Sequence, residues 1–283
     1  MPELPEVQTT VDGLNKTVKG KVILDIWTDY NSDFHAGKNN IKNPKFFKIF
    51  KKEVIGSKII KAERRGKNIL IELNNGKTVL THMKMTGFFF YNPPADERFV
   101  HIKFKLNNNK TLAFSDMRKF AKVTLIDTKD REHNSELSHL GIEALDITLK
   151  EFKEILFDET RPIKQMLLDQ TLITGVGNIY SDECLWLSGI HSRSKPNKIP
   201  PKETKLLMEA MKKVLRKGID FGGDSMSDYR NIYGEKGKFQ MNHNAYRRTG
   251  EKCLKKGCKG MIERDVIATR SSHFCPVHQK LFK

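Results

Sequence analysis

The sequence predicts a multidomain α+β protein: a mostly β N-terminal part, a helical part after it, and a short cysteine-rich tail. Three observations carry this reading. Short runs of alternating apolar residues fill the first ~130 residues, helical apolar spacing begins near Thr148, and three of the four cysteines follow Glu251. At 283 residues the chain is about two domains long, taking roughly 150 residues per domain.

The elements follow in chain order. A short helix is expected around residues 7–14. Val100, Ile102, Phe104 and Leu106 alternate with His101, Lys103, Lys105 and Asn107, the period-2 pattern of a half-buried strand. Asn107 to Lys110 reads as a turn, with residues 111–115 as the return strand. Similar runs at 22–27, 69–73, 79–82, 88–91 and 123–126 suggest a sandwich or a barrel spanning 1–130. Residues 131–147 read as a linker, the polar stretch starting at Asp127. Thr148 and Glu151 form a capping box before Phe152, Ile155 and Leu156. Pro162 starts a second helix, the Gly175-Val176-Gly177 turn interrupts it, and residues 179–187 resume it up to Gly189. Asn178 is a good N-cap type. Leu206 to Ile219 marks another amphipathic helix, ended near Gly218. The Gly-, Asp- and Asn-rich stretch 222–244 reads as a long mobile loop.

Charge narrows the function classes. Lys plus Arg is 51 against 34 for Asp plus Glu, a formal net charge of +17. Eleven basic and two acidic residues occupy 38–67, and ten basic and three acidic residues occupy 247–283. Two such runs favour a polyanionic partner, because clustered cations attract phosphates before any specific contact forms. A basic membrane-surface helix around Phe46, Phe47 and Phe50 is the weaker rival. No apolar run approaches the ~18 residues of a membrane span. The acidic, proline-punctuated start is the opposite of a cationic signal peptide.

Cys253-x4-Cys258 is followed after 16 residues by Cys275-x2-His278. Two ligand pairs separated by enough chain for a β-hairpin suit a tetrahedral zinc ion, and four protein ligands leave no place for a catalytic water. One structural Zn2+ is therefore expected. Cys184 lies on the apolar side of a helix and reads as a core thiol. The glycine turn before Asn178 can expose backbone N–H groups to a phosphate. If Met1 is removed, Pro2 carries a secondary amine with a reference pKa of about 8, able to attack a sugar C1′. Glu3 beside it can serve as a general acid.

Three stretches together resemble the formamidopyrimidine-DNA glycosylase (Fpg/Nei) family: Met1-Pro2-Glu3-Leu4-Pro5-Glu6-Val7, Thr174-Gly175-Val176-Gly177-Asn178-Ile179-Tyr180, and the C-terminal ribbon. Arg64-Arg65-Gly66-Lys67, His82-x-x-Met85-Thr86-Gly87 and Asp116-Met117-Arg118-Lys119-Phe120 resemble family segments in the expected order. The resemblance implies an N-terminal β-sandwich, a helix–two-turn–helix domain over 148–246, and a zinc-ribbon hairpin over 247–283. It implies a bifunctional glycosylase and lyase removing oxidised purines from duplex DNA, in a monomer of the bacterial cytoplasm. Pro2 would be the Schiff-base nucleophile, Glu3 the acid, Lys67 an aid to β-elimination and Arg270 an aid to δ-elimination. His82, Lys164 and Asn178 would contact phosphate. Met85, Arg118 and Phe120 would fill the gap left by an extruded base, two apolar wedges and a cation for the orphaned partner base.

Several residues depart from the family pattern. Phe99 stands where the first histidine of Lys-His-x-His is expected, leaving only His101. Lys84 replaces a common glycine, and Gln8 a common acidic residue. A Nei-like preference for oxidised pyrimidines is the nearest alternative, disfavoured by Leu4 where Nei-type starts carry glycine. The stretch from Gly222 also resembles the purine-capping loop. A non-enzymatic damage sensor is the alternative from another class.

Overall fold

The computed structural model describes residues 1–226 and 228–283. They form two compact units, one of residues 1–139 with 221–238, the other of residues 140–220 with 239–283.

The first unit opens with α1 (Leu4–Thr17), which buries Leu4, Val7, Val11 and Leu14 at helical spacing. It is longer than the expected 7–14 because Glu6 reaches back to accept from the Glu3 backbone N–H at 2.7 Å, closing the first turn. Two four-stranded antiparallel sheets follow, so the alternatives of sandwich and barrel resolve to a sandwich. One has the order β1-β6-β7-β5, from β1 (Ile23–Thr28), β5 (Gly87–Tyr91), β6 (Val100–Leu106) and β7 (Thr111–Asp116). The other is β2-β3-β4-β8, from β2 (Ile59–Arg65), β3 (Asn68–Leu73), β4 (Lys77–His82) and β8 (Lys122–Asp127). Strand β2 escaped the periodicity reading because its charged residues interrupt the apolar alternation.

The basic run 38–67 contains α2 (Pro44–Val54) and the whole of β2. Asn43 caps α2 by accepting from Lys45 N–H at 3.1 Å. Phe50 and Val54 are fully buried in the sandwich core, with Phe46 and Phe47 packed against it. The apolar face is therefore spent inside the protein, which removes the membrane-surface alternative. No described helix is long and apolar enough to cross a membrane.

The second unit contains a short parallel pair, β9 (Ile142–Glu143) with β10 (Ile173–Thr174), so part of the expected linker is ordered. The capping box of Thr148 and Glu151 is present at the start of α3 (Leu149–Phe157). Pro162 caps α4 (Ile163–Leu168), and α5 (Asn178–Ser188) ends on Gly189 at φ 73°. The N-cap of α5 is Gly177, and Asn178 is its first helical residue, so the helix starts one place earlier than expected. Helix α6 (Pro201–Asp220) continues through Gly218, which lies on its buried face. The hairpin β11 (Glu263–Ile267) and β12 (Arg270–Phe274) fills the gap between Cys258 and Cys275.

Residues 221–238 belong to the first unit although they follow α6. Their described residues are irregular but braced: Ser225 Oγ donates to Tyr229 O at 2.8 Å, and Gly237 N–H donates to Ser225 Oγ at 2.9 Å. Asp224 N–H donates to Glu6 Oε1 at 2.7 Å, and Tyr229 Oη to Glu6 O at 3.0 Å.

Candidate functional site

In the first unit, Pro2 and Glu3 are buried at the capped start of α1, Glu3 at 3 % exposure. Two contacts give the register of α1 on β2. Asn15 bonds both the N–H and the carbonyl of Ala62, and Gln8 Oε1 accepts from Arg64 Nε at 3.0 Å. Moving toward the helix start thus moves toward the β2–β3 turn, where Gly66 adopts φ 57° and Lys67 is 6 % exposed. The departure at Gln8 supplies a neutral acceptor for Arg64.

In the sequence Glu6 is visible only as part of the opening motif. Its carboxylate ties two backbone segments together, accepting from Glu3 N–H and from Asp224 N–H. Gly223, at φ 84°, lets the loop approach this close, since a Cβ there would lie 2.9 Å from Glu6 Cγ.

His82 ends β4, opposite Asn68 in the register. Burial, with Lys84 and Lys67 adding repulsion, pushes its pKa down to about 3. Its Nδ1 accepts from Lys84 N–H at 3.0 Å, so the neutral ring carries its proton on Nε2. A phosphate contact from His82 is then a neutral N–H donor rather than a cation.

Met85, Arg118 and Phe120 are exposed on two neighbouring loops, and the Arg118 guanidinium stacks 4.6 Å from the Phe120 ring centroid. A cavity of about 290 Å3 adjoins them, its lining including Thr86, Phe88, Phe99, Met117, Asp228 and Arg230. Phe99 is 40 % exposed at φ 61°. His101 is 6 % exposed, with Nδ1 held by both Asp29 carboxylate oxygens at 2.9 Å. The remaining histidine of the altered motif is an internal group.

In the second unit, Gln170 braces the glycine turn, accepting from Gly175 N–H at 3.0 Å and donating to Val176 O at 2.9 Å. Gly175 adopts φ 106°. Lys164, expected at a phosphate, has no exposed surface. Its ammonium donates to Asp182 Oδ1 at 2.5 Å and to Ser271 O at 2.6 Å. Asp182, also fully buried, accepts from Ser272 Oγ, His273 N–H and His273 Nδ1. Instead of a surface cation the protein has an internal one that seats β12 on α4 and α5. Arg270 is exposed at the first position of β12, after a tip where Ala268 and Thr269 both have positive φ.

The ligand atoms of Cys253, Cys258, Cys275 and His278 all lie within 4.8 Å of one another, a set able to hold a metal ion. Cys258 and Cys275 sulfurs are 3.6 Å apart, and Cys253 Sγ is 3.2 Å from His278 Nδ1. His278 Nε2 lies 3.0 Å from Trp186 O, which fixes the N–H there and turns the Nδ1 lone pair toward the thiols. Trp186 Nε1–H and Gly260 N–H donate to the sulfurs of Cys253 and Cys258. Gly260 is required, since a Cβ there would lie 2.5 Å from Cys275 Sγ. This donor set fits zinc. Cys184, fully buried, stands apart as a core thiol.

Residues 1–123 match the family model "Formamidopyrimidine-DNA glycosylase N-terminal domain", and residues 140–230 match "Formamidopyrimidine-DNA glycosylase H2TH domain". A formamidopyrimidine-DNA glycosylase of Herpetosiphon aurantiacus is 38% identical, covering 99% of this chain and 100% of the relative. One from Ligilactobacillus salivarius is 34% identical over 98% of each chain. Among solved structures, a Lactococcus lactis FPG mutant in complex with Fapy-dG DNA has a TM-score of 0.87 at 33% identity, covering 99% of this chain and 100% of that one. The Lactococcus lactis Fpg bound to abasic-site DNA also gives 0.87, at 33% identity and with 98% and 99% covered.

Proposed function

The chain belongs to the formamidopyrimidine-DNA glycosylase family and is a DNA-repair glycosylase, and from that premise we propose how its own residues act on duplex DNA. The substrate is an oxidised purine, 8-oxoguanine or a formamidopyrimidine. With Met1 removed, the Pro2 amine attacks C1′ of the damaged nucleotide. The glycosidic bond breaks with its electron pair on the departing base, which takes up the proton the amine loses. Glu3 delivers a proton as the sugar ring opens, leaving an iminium cation on Pro2. That cation draws electrons from the C2′–H bond, so loss of the proton expels the 3′ phosphate. Lys67 assists this β-elimination, and Arg270 the later δ-elimination that expels the 5′ phosphate. Met85, Arg118 and Phe120 occupy the vacated stack, and the adjoining cavity receives the extruded base. His82 and Asn178 contact phosphate, while Lys164 acts indirectly by seating β12. Glu6 positions Glu3 and the loop at Asp224.

One structural zinc ion would be held by Cys253, Cys258, Cys275 and His278. It supplies folding energy to the hairpin that carries Arg270. We assign 1–130 to the catalytic sandwich, 148–246 to the helix–two-turn–helix domain and 247–283 to the zinc ribbon, with residues 221–238 serving the sandwich as a lesion cap. The protein acts as a single chain on chromosomal DNA in the bacterial cytoplasm.

The observation that carries this reading is the buried Pro2-Glu3 start, at the end of α1 that lies toward the turn bearing Lys67. Borohydride trapping on an 8-oxoguanine duplex tests it. A covalent adduct is expected, diminished in Pro2→Gly and by blocking the N-terminus. No adduct, or one indifferent to both changes, refutes the mechanism and favours a non-enzymatic sensor. The Lactococcus lactis Fpg has also been solved with DNA containing an oxidised pyrimidine. Comparing release of 8-oxoguanine with that of oxidised thymine therefore separates the two substrate classes.

A further inference from the structure

Asp116 touches neither of the two chemical centres described above, yet it sits between the two loops that carry Met85, Arg118 and Phe120. The loop joining β4 to β5 bears Met85, and the loop joining β7 to β8 bears Arg118 and Phe120. Both are locally strained: Lys84 adopts φ 54° and Lys119 φ 55°, a region lysine seldom visits. Strain of this kind persists only where the surroundings over-determine it.

Asp116 provides that determination. Its carboxylate is fully buried, accepting from Thr86 Oγ1 at 2.5 Å and from Ala121 N–H at 2.8 Å. Thr86 Oγ1 accepts in turn from Arg118 N–H at 3.1 Å. One carboxylate and one hydroxyl thus join the residue after Met85 to the backbone at Arg118 and just after Phe120. The Asp116 backbone is pinned as well, its N–H donating to Phe99 O at 2.9 Å and its carbonyl accepting from Lys119 N–H at 3.0 Å. Lys42 Nζ donates to the Lys119 carbonyl, holding the second loop from its other side.

We propose that Asp116 is a positioning residue for base extrusion. It locks the two loops together so that Met85, Arg118 and Phe120 enter the base stack as one rigid unit. Loops free to move separately would have to be ordered at the moment of insertion, at an entropic cost. The proposal rests on the reading of those three side chains as the stack-filling set. Thr86 is the second member of the lock.

Two near-isosteric changes test it. Asp116→Asn replaces one of the two accepting oxygens with an amide donor, and Thr86→Val removes the hydroxyl while keeping the shape. Each lowers kcat/KM for 8-oxoguanine excision from duplex DNA by about tenfold, the effect of one lost buried hydrogen bond. Asp116→Asn leaves strand cleavage at an abasic site in single-stranded DNA within about twofold, because no base is extruded and no stack is entered there. A 2-aminopurine beside the lesion reports the insertion step, and its fluorescence rise slows in both variants. Adding Asp116→Asn to Phe120→Ala lowers duplex excision by less than about twofold, since a lock has little left to hold.

Equal loss on the single-stranded and duplex substrates overturns the proposal, as do additive effects in the double variant. If Phe120→Ala leaves duplex excision intact, the stack-filling reading itself fails. If Phe120→Ala is impaired while Thr86→Val and Asp116→Asn are not, only the positioning role fails. Should Asp116→Asn not fold, Thr86→Val decides by the 2-aminopurine rise, and an unslowed rise overturns the proposal.

Discussion

Replacing Lys164 by Met separates an internal ion pair from a DNA contact. The change keeps the side-chain volume and removes the ammonium. Asp182 then stays fully buried with its charge, having lost the 2.5 Å donor, and Ser271 O loses its donor as well. Removing one partner of a buried pair typically costs about 3–5 kcal/mol. Asp182 keeps Ser272 Oγ, His273 N–H and His273 Nδ1, which argues for the lower end, about 3 kcal/mol. For a unit of this size that is a fall in Tm of roughly 10 °C. Neutralising both partners, Lys164→Met with Asp182→Asn, recovers part of the loss because no unpaired charge remains. Thermal unfolding of the zinc-loaded protein reads both. The decisive assay is duplex affinity against salt. If Lys164 is internal, the slope of log K against log salt is unchanged in the variant. A slope shallower by about 0.9 would mean that a phosphate contact had been lost, and the internal assignment would be wrong. A stability loss below about 1 kcal/mol would refute the energetic argument as well.

Other expectations follow from the same geometry. His82 is held neutral, with its pKa lowered to about 3 from 6.5. Between those values the unfolded chain binds a proton the folded one does not, so stability falls as pH drops through that window. His82→Gln flattens this slope in denaturant titrations at pH 4 to 6, and an unchanged slope would contradict the burial argument. Glu6→Gln replaces an acceptor shared by Glu3 N–H and Asp224 N–H with a group that is half donor, and lowers kcat for excision by about tenfold or more. A variant with normal kcat would deny Glu6 a positioning role. Elemental analysis should find one zinc per chain, and chelation should release it with loss of duplex affinity. Protein that is zinc-free as isolated yet fully active would remove the structural metal.

Patterns set by near neighbours in the chain were legible before folding. The opening Pro2-Glu3, the paired spacing of Cys253, Cys258, Cys275 and His278, and the capping box of Thr148 and Glu151 are all short-range patterns. Strand alternation is equally local, and β6 is found over residues 100–106 as the periodicity expects. Strand β2 was hidden by its own charges, and the basic run around it concealed a helix whose phenylalanines serve the core.

The sequence by itself determined the class of chemistry, a donor set able to hold a metal and most of the elements, because backbone propensity, apolar period and ligand spacing act over a few residues. The tertiary structure alone decided which polar groups are internal. Glu6 meets Asp224 across 218 positions, and Asp182 meets His273 across 91. No local pattern announces such partners, since an aspartate or lysine reads as a surface charge until folding removes its water and supplies a partner. For that reason Lys164 moved from the surface to the interior, and Asp116 became visible only as the joint between two loops.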